Sequence, residues 1–293
     1  MVRPAWVVPR TVLDARLVAA AVDAGATLQR RRVRSVRIHP GAAVIDEELR
    51  AEVVVGADGA HSLVRAAAGL APAARRALAI RGYAPTRADR RGQQVIVFGK
   101  RRQPSYAWSF DRGDGLANVG YGELLGRRGS APTRTQLLSH LEELLPGSTA
   151  DGSDWLGHHL PLSSWRWHQP DGRLLLAGDA AGLINPMTGE GIYYAVATGV
   201  AAGRAAAEAL TVGAADGAGA RHRRSVRSLL ARHLRHTATA SRLVSAPAVV
   251  SAGIRAAARD QQVFDDLVEV GLGQGLLTRR VLRGLLPLAG ADA

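Results

Sequence analysis

Gly178-Asp179-Ala180-Ala181-Gly182-Leu183-Ile184-Asn185-Pro186-Met187-Thr188-Gly189-Glu190-Gly191-Ile192 follows the apolar run Leu174-Leu175-Leu176-Ala177 and leads into a long alanine-rich segment. An acidic residue therefore ends a buried strand, and a loop carrying glycine and proline feeds a helix N-terminus. That layout suits a polyhydroxylated, phosphate-bearing ligand. The Asp179 carboxylate can accept from hydroxyls, while backbone N–H groups and the helix dipole favour a negative group. A second copy of the same logic lies upstream. Ala51-Glu52-Val53-Val54-Val55-Gly56-Ala57-Asp58-Gly59 predicts a short buried strand running into a turn, with a helix beginning over Ser62–Ala68. An Asp-Gly turn alone is commonplace; two acidic strand ends in one chain are more specific. Arg10 with Asp14, at the start of a helix over Ala15–Gly25, forms a third candidate segment.

Outward from these segments the chain reads as α/β. The Val53–Val55 run suits a strand of a parallel sheet covered on both faces. Further strands are expected over Thr27–Ile38 and around Ala43–Ile45. The middle changes character: Gln94–Phe98, Tyr106–Phe110 and Ala117–Tyr121 are short β-branched or aromatic runs separated by Arg/Gly/Asp turns, the pattern of an antiparallel sheet. An amphipathic helix over Thr133–Leu145 ends at Pro146-Gly147. Gly172–Ala177 returns to a buried strand and Gly191–Leu210 to a helix. Thr211–Gly219 reads as a linker, and Arg221–Leu243, Ala248–Arg259, Phe264–Gly271 and Leu276–Leu286 as an arginine-rich helical tail. The expected organisation is four parts: 1–75 and 161–215 form a partial cofactor-binding Rossmann-like domain, 76–160 an antiparallel substrate-binding sheet, and 216–293 a helical region.

The 293 residues carry a net charge of +13, with Lys100 the single lysine. A diffuse arginine surface accounts for that skew, with contact to an anionic membrane as the next reading; scarce aromatics and the absence of a recognition motif argue against nucleic acid. No cysteine is present, which excludes disulfides and thiolate sites. No signal peptide opens the chain and no window of about 20 uninterrupted apolar residues occurs, so the expectation is a cytoplasmic protein, peripheral at the inner face of a membrane if the basic surface is used.

The Asp58-Gly59 and Gly178-Asp179…Pro186…Gly189-Glu190-Gly191 segments resemble two flavin fingerprints of the p-hydroxybenzoate-hydroxylase-like FAD oxidoreductases. Within that superfamily, Tyr106-Ala107-Trp108-Ser109-Phe110, the Gly113–Gly120 stretch and Leu160-Pro161-Leu162 resemble the geranylgeranyl reductase family. The resemblance implies FAD as cofactor, with NAD(P)H or another donor as reductant, and reduction of C=C bonds in a prenyl-lipid substrate. It implies that Arg10 belongs to the cofactor site and that Asp179, following Gly178, bonds the ribityl hydroxyls. Asp58 and Gly59 would lie near the cofactor phosphates. Pro186, Gly189, Glu190 and Gly191 would present the next helix to the N1/C2=O edge of the isoalloxazine. A carboxylate is repulsive to an anion there, so Glu190 is expected to cap backbone N–H groups. Tyr106, Trp108 and Phe110 alternate along one strand and share a face, either as a plain core stripe or as an apolar wall for a prenyl chain. Asp111 stands where the family usually has proline. Family members begin with a strand and a GxGxxG turn, which this chain lacks; residue 1 corresponds to a point well inside their first domain. Two competing readings follow: a flavin-dependent aromatic hydroxylase, or a truncated non-catalytic fragment unable to hold FAD. No catalytic acid or base is named by the sequence.

The remaining constellations carry little. Gly271-Leu272-Gly273-Gln274-Gly275 has the wrong spacing for a phosphate turn and follows a helix. His233 and His236 share a helix face without a third ligand, so a solvated surface rather than a metal site is expected.

Overall fold

The computed structural model describes residues 6–99, 103–126, 131–165 and 167–285. Its first helix, α1 (Arg10–Asp23), starts at Arg10 behind Pro9. Asp14 is therefore one turn inside the helix and pairs with Arg10 at i,i+4 rather than capping it. None of α1 is buried, and its apolar stripe faces solvent, with Leu17 50% exposed.

Residues 26–35 form no strand, contrary to the expectation for Thr27–Ile38. Arg31 is tied to Asp46 and Glu48, and the Arg34 and Ser35 N–H groups donate to Asp46, so side chains rather than a ladder satisfy this segment. A three-stranded antiparallel meander follows: β1 (Val36–His39), β2 (Ala42–Ile45) and β3 (Leu49–Ala51). Then come β4 (Val54–Gly56) and α2 (Leu63–Ala67), whose N-cap Ser62 accepts from the Arg65 N–H at 2.9 Å.

The central sheet is built from β5 (Arg76–Pro85), β6 (Gln94–Phe98), β7 (Ser105–Asp111), β8 (Leu116–Leu124) and β9 (Ser153–Pro161), in the order β6-β7-β8-β5-β9 and antiparallel throughout. Between β8 and β9, α3 (Arg134–Leu144) starts with a capping box from Thr133 and Gln136. Its Leu137 and Leu141 bury against Ile80, Ala107 and Tyr121, covering one face of the sheet. Successive strand residues alternate faces, so Tyr106, Trp108 and Phe110 lie on the opposite face. They are not the stripe that packs the core.

The chain then returns through β10 (Leu174–Leu176), wholly buried and parallel to β4 with Leu174 opposite Val54 and Leu176 opposite Gly56. The parallel element is thus real, but β4 is covered on one face only: Val55 is 40% exposed. After a 3-10 turn at Gly178–Ala181, α4 (Ile192–Thr211) runs back over the sheet. The expected linker is a tight corner with Ala215 and Ala218 buried, from which α5 (Ala218–Leu243) packs on α4. Leu174, Leu176, Val64, Tyr194, Val226 and Leu230 form the core of this layer. The tail consists of α6 (Pro247–Arg259), α7 (Gln261–Leu272) and α8 (Arg279–Gly284); Leu286, the expected end of the last helix, lies outside the described residues. None of these helices is long and apolar enough to cross a membrane.

Candidate functional site

The two parallel strands end side by side, and each delivers an aspartate. At the end of β4 the Asp58 carboxylate is engaged within its own turn. It accepts from the Ser62 hydroxyl at 2.5 Å and from the Leu63 and Val64 N–H groups at 2.7 and 3.2 Å. These are bonds to the α2 N-terminus, where a carboxylate also complements the helix dipole. Gly59, at φ +81° and with open space where a side chain would stand, leaves the turn accessible to a ligand's backbone contacts.

Asp179 is different. Its carboxylate receives no hydrogen bond from the described residues, although it is only partly exposed. Burial raises its pKa, while the charges of Arg10 and His158 pull it down and Glu190 pushes it up. Arg10 is among the groups acting on its charge, so the first helix and the β10 turn do converge. A desolvated acceptor without a donor costs free energy unless a ligand supplies one. That is the chemistry of a carboxylate awaiting hydroxyls, and it fits the ribityl chain of FAD. Gly178 beside it has φ +54°, and a Cβ there would stand 2.9 Å from that of Ala195, so no other residue fits. Its N–H donates to Thr198 Oγ1 at 2.9 Å, which pins the turn to α4.

The loop from Asn185 to Ile192 consumes its own donors. Met187 N–H bonds Asn185 Oδ1, Gly189 N–H bonds Asn185 O, and Glu190 N–H bonds Thr188 Oγ1. Glu190 Oε1 accepts from the Gly191 and Ile192 N–H groups at 3.0 and 2.6 Å, so the expected cap is present. The Gly191 and Ile192 N–H groups therefore face a ligand only when the Glu190 side chain swings out. A Cβ at Gly191 would sit 3.3 Å from Asp179 Oδ1, which places the cap and the unbonded carboxylate together. Pro186 is buried behind the turn.

The central sheet meets this loop directly. The Tyr106 hydroxyl donates to the Thr188 carbonyl, and burial with the nearby Glu190 charge drives its pKa far up, keeping it a neutral donor. The Tyr106 and Trp108 rings lie 5.9 Å apart, and Trp108 Nε1 donates to Asn118 Oδ1 at 3.0 Å. Tyr106 is opposite Gly122, Gly122 opposite Ala79, and Ala79 opposite His158. One row thus runs from an aromatic to an imidazole across a floor without large side chains. Phe110 shares the face at its far end, opposite Asn118.

Sequence reasoning missed the parts that brace this site. Arg65 reaches from α2 to the carbonyls of Ala71 and Ala180 at 2.7 and 3.2 Å, tying the two aspartate turns together. The glycine-rich Gly271–Gly275 stretch is no phosphate turn, but it is a clamp. Asn185 Nδ2 donates to the Val270 and Gly271 carbonyls, and Thr188 Oγ1 to Gly271. His233, expected on a solvated surface, is 1% exposed. Its Nδ1 meets the Gly275 carbonyl at 2.6 Å, which fixes the proton there and leaves Nε2 to accept from the Tyr194 hydroxyl. Burial lowers the His233 pKa and keeps it neutral. The i+3 spacing to His236 gave no hint of this, because the partners are on α4 and beyond α7.

A parallel strand pair with acidic ends, set across a glycine loop from an antiparallel sheet, is the layout of a flavin-binding fold. The sequence matches the FAD binding domain family over residues 4–231, and the chain belongs to that family. It is 30% identical over 229 residues to digeranylgeranylglycerophospholipid reductase 1 of Methanopyrus kandleri, covering 70% of this chain and 58% of that protein. It is 31% identical over 223 residues to the digeranylgeranylglycerophospholipid reductase of Methanosarcina acetivorans, covering 71% and 54%. The chain therefore spans somewhat more than half the length of these relatives. A geranylgeranyl bacteriochlorophyll reductase-like protein from Thermoplasma acidophilum shares the fold, with TM-score 0.71 and 21% identity over 94% of this chain and 71% of that one.

Proposed function

We propose that this chain serves in an FAD-dependent reduction of C=C bonds in the prenyl chain of a lipid. The observation that carries the reading is the Tyr106–Thr188 contact, which sets the aromatic row of the sheet against the Gly189–Gly191 turn. The names of the curated relatives agree with it. FAD, when bound, supplies the two-electron chemistry that saturates the double bond.

The chain's own residues do the rest. Asp179 holds the ribityl hydroxyls and Glu190 yields the α4 N-terminus to the ring edge. Tyr106, Trp108 and Phe110 line an apolar wall that excludes water and lays the chain flat over Gly122 and Ala79. His158, at the other end of that row, is the group we assign to hold the proton that the second alkene carbon requires. A nicotinamide is the proposed reductant. For a substrate resident in a bilayer, peripheral contact with an anionic membrane is also proposed. A cleft of about 430 Å³ between Leu243, Val249, Leu282 and Leu285, rimmed by Arg279 and Arg283, supports it by joining apolar surface to positive charge.

The test is incubation with FAD, NADPH or dithionite, and a geranylgeranyl-bearing phospholipid. Mass spectrometry should find a gain of two hydrogens per reduced bond. FAD uptake without any such gain on prenyl lipids, with oxygen-dependent hydroxylation of an aromatic acid instead, would defeat the proposal.

A further inference from the structure

A cleft of about 700 Å³ separates α5 from the segment preceding β10. Arg223, Arg227 and Arg235 line one wall at successive turns of α5, with Ala231 leaving room between the last two; Trp165, Trp167, His168 and Gln169 line the other. Arg223 is paired with Asp171 at 2.6 Å, at one end of the cleft. The guanidinium groups of Arg227 and Arg235 form no ion pair or hydrogen bond among the described residues. Gln169 is 6% exposed, yet among the described residues neither its amide nitrogen nor its amide oxygen has a partner. A buried primary amide left with neither donor nor acceptor used is costly. One donor and one acceptor held side by side match the edge of a nucleobase, which offers the complementary pair. Guanidinium groups bind phosphate with charge-assisted, often bidentate bonds. An indole face adjoining them suits a planar ring; Trp165 is 52% exposed here.

We propose that this cleft binds a nucleoside phosphate. Arg227 and Arg235 take the phosphates, Gln169 reads the base edge, and the tryptophans flank the ring. Its lining shares no residue with the flavin-type site and the proposal does not rest on the function proposed for that site.

Calorimetric titration of the chain with ADP tests this, run with and without saturating FAD so that occupation of the flavin site is counted apart. Saturable ADP binding that persists under FAD is expected. It should weaken by about tenfold or more in the Arg227→Ala/Arg235→Ala double variant, the loss of two charge-assisted contacts. Gln169→Leu should weaken ADP while leaving inorganic pyrophosphate unaffected. FAD content should not change in either variant. The proposal is overturned by unchanged ADP affinity in the double variant, or by pyrophosphate binding as tightly as ADP. It is equally overturned if anionic phospholipid vesicles bind through these arginines while ADP does not. Failure of FAD to bind, with arginine-dependent ADP binding intact, would sink the flavin reading and leave this one standing.

Discussion

Asp58 and Asp179 close neighbouring parallel strands, each followed by a turn into a helix, yet their carboxylates are used in opposite ways. Asp58 gives both oxygens to the N-terminus of α2. Asp179 stays unbonded among the described residues, in partly dry surroundings, with Arg10, His158 and Glu190 acting on its charge. The difference lies in the distance to the next helix. Four residues after Asp58 comes Ser62, so the carboxylate reaches the helix it precedes. After Asp179 the chain makes a 3-10 turn and a long loop before α4, whose N-terminus is capped by Glu190 instead. One carboxylate is taken up by its own helix because that helix is near. The other is left unbonded among the described residues because its helix has a separate cap.

Substitutions at the two positions should therefore separate cleanly. Asp179→Ala is expected to weaken FAD retention by about ten- to a hundredfold, the worth of hydrogen bonds to a charged group, with little change in the urea midpoint; equilibrium dialysis of the flavin checks it. Unchanged flavin content would break the comparison from one side. Asp58→Ala should cost about 1–2 kcal/mol in urea unfolding through loss of the α2 cap. A variant that loses flavin at unchanged stability would break it from the other.

Smaller effects sharpen the picture of what braces the Asp179 side. His222 and His233 are both held below the ordinary imidazole value of 6.5 by burial. The folded chain thus binds fewer protons there than the unfolded one, and stability present above 6.5 is lost as pH falls. Melting temperature should drop between about pH 7 and about pH 5, and less steeply in His233→Gln. An equal slope in that variant would assign the acid sensitivity elsewhere. Smallest of all, Glu190→Gln keeps an acceptor for the Gly191 and Ile192 N–H groups but removes a negative charge beside the ligand. FAD affinity should rise by about two- to fivefold, read from the same dialysis; a fall would mean that the carboxylate itself binds the cofactor.

Much of this was legible in the sequence, for local reasons. The Leu174–Leu176 run, the β-branched and aromatic strands of the central sheet, the Thr133 box and the Glu190 cap all depend on residues a few positions apart. The alternation that puts Tyr106, Trp108 and Phe110 on one face is equally local, though whether that face is core or site depended on where α3 packs. β5 and β9 were not legible. The first is rich in alanine and glycine, and the second carries Asp, Gly and two histidines, all poor strand signals. Neither was the clamp: Asn185 and Gly271 are 86 residues apart, and nothing in either stretch announces the other. Nor did composition reveal that His233 is buried among arginines, because burial of one helix face depends on what crosses it.

One contact made by α5 has a further consequence. His222 Nε2 donates to the Leu176 carbonyl at 2.9 Å, on the side of β10 away from β4. That carbonyl is the group a neighbouring strand would need, so the imidazole closes the edge to strand addition. The opposite margin, along β4, has no partner among the described residues. Among the described residues, the margin left open to a further strand is the one beside Val54–Gly56. The β10 margin is covered by α5 itself, whose Gly219 N–H donates to the Gly172 carbonyl just ahead of β10.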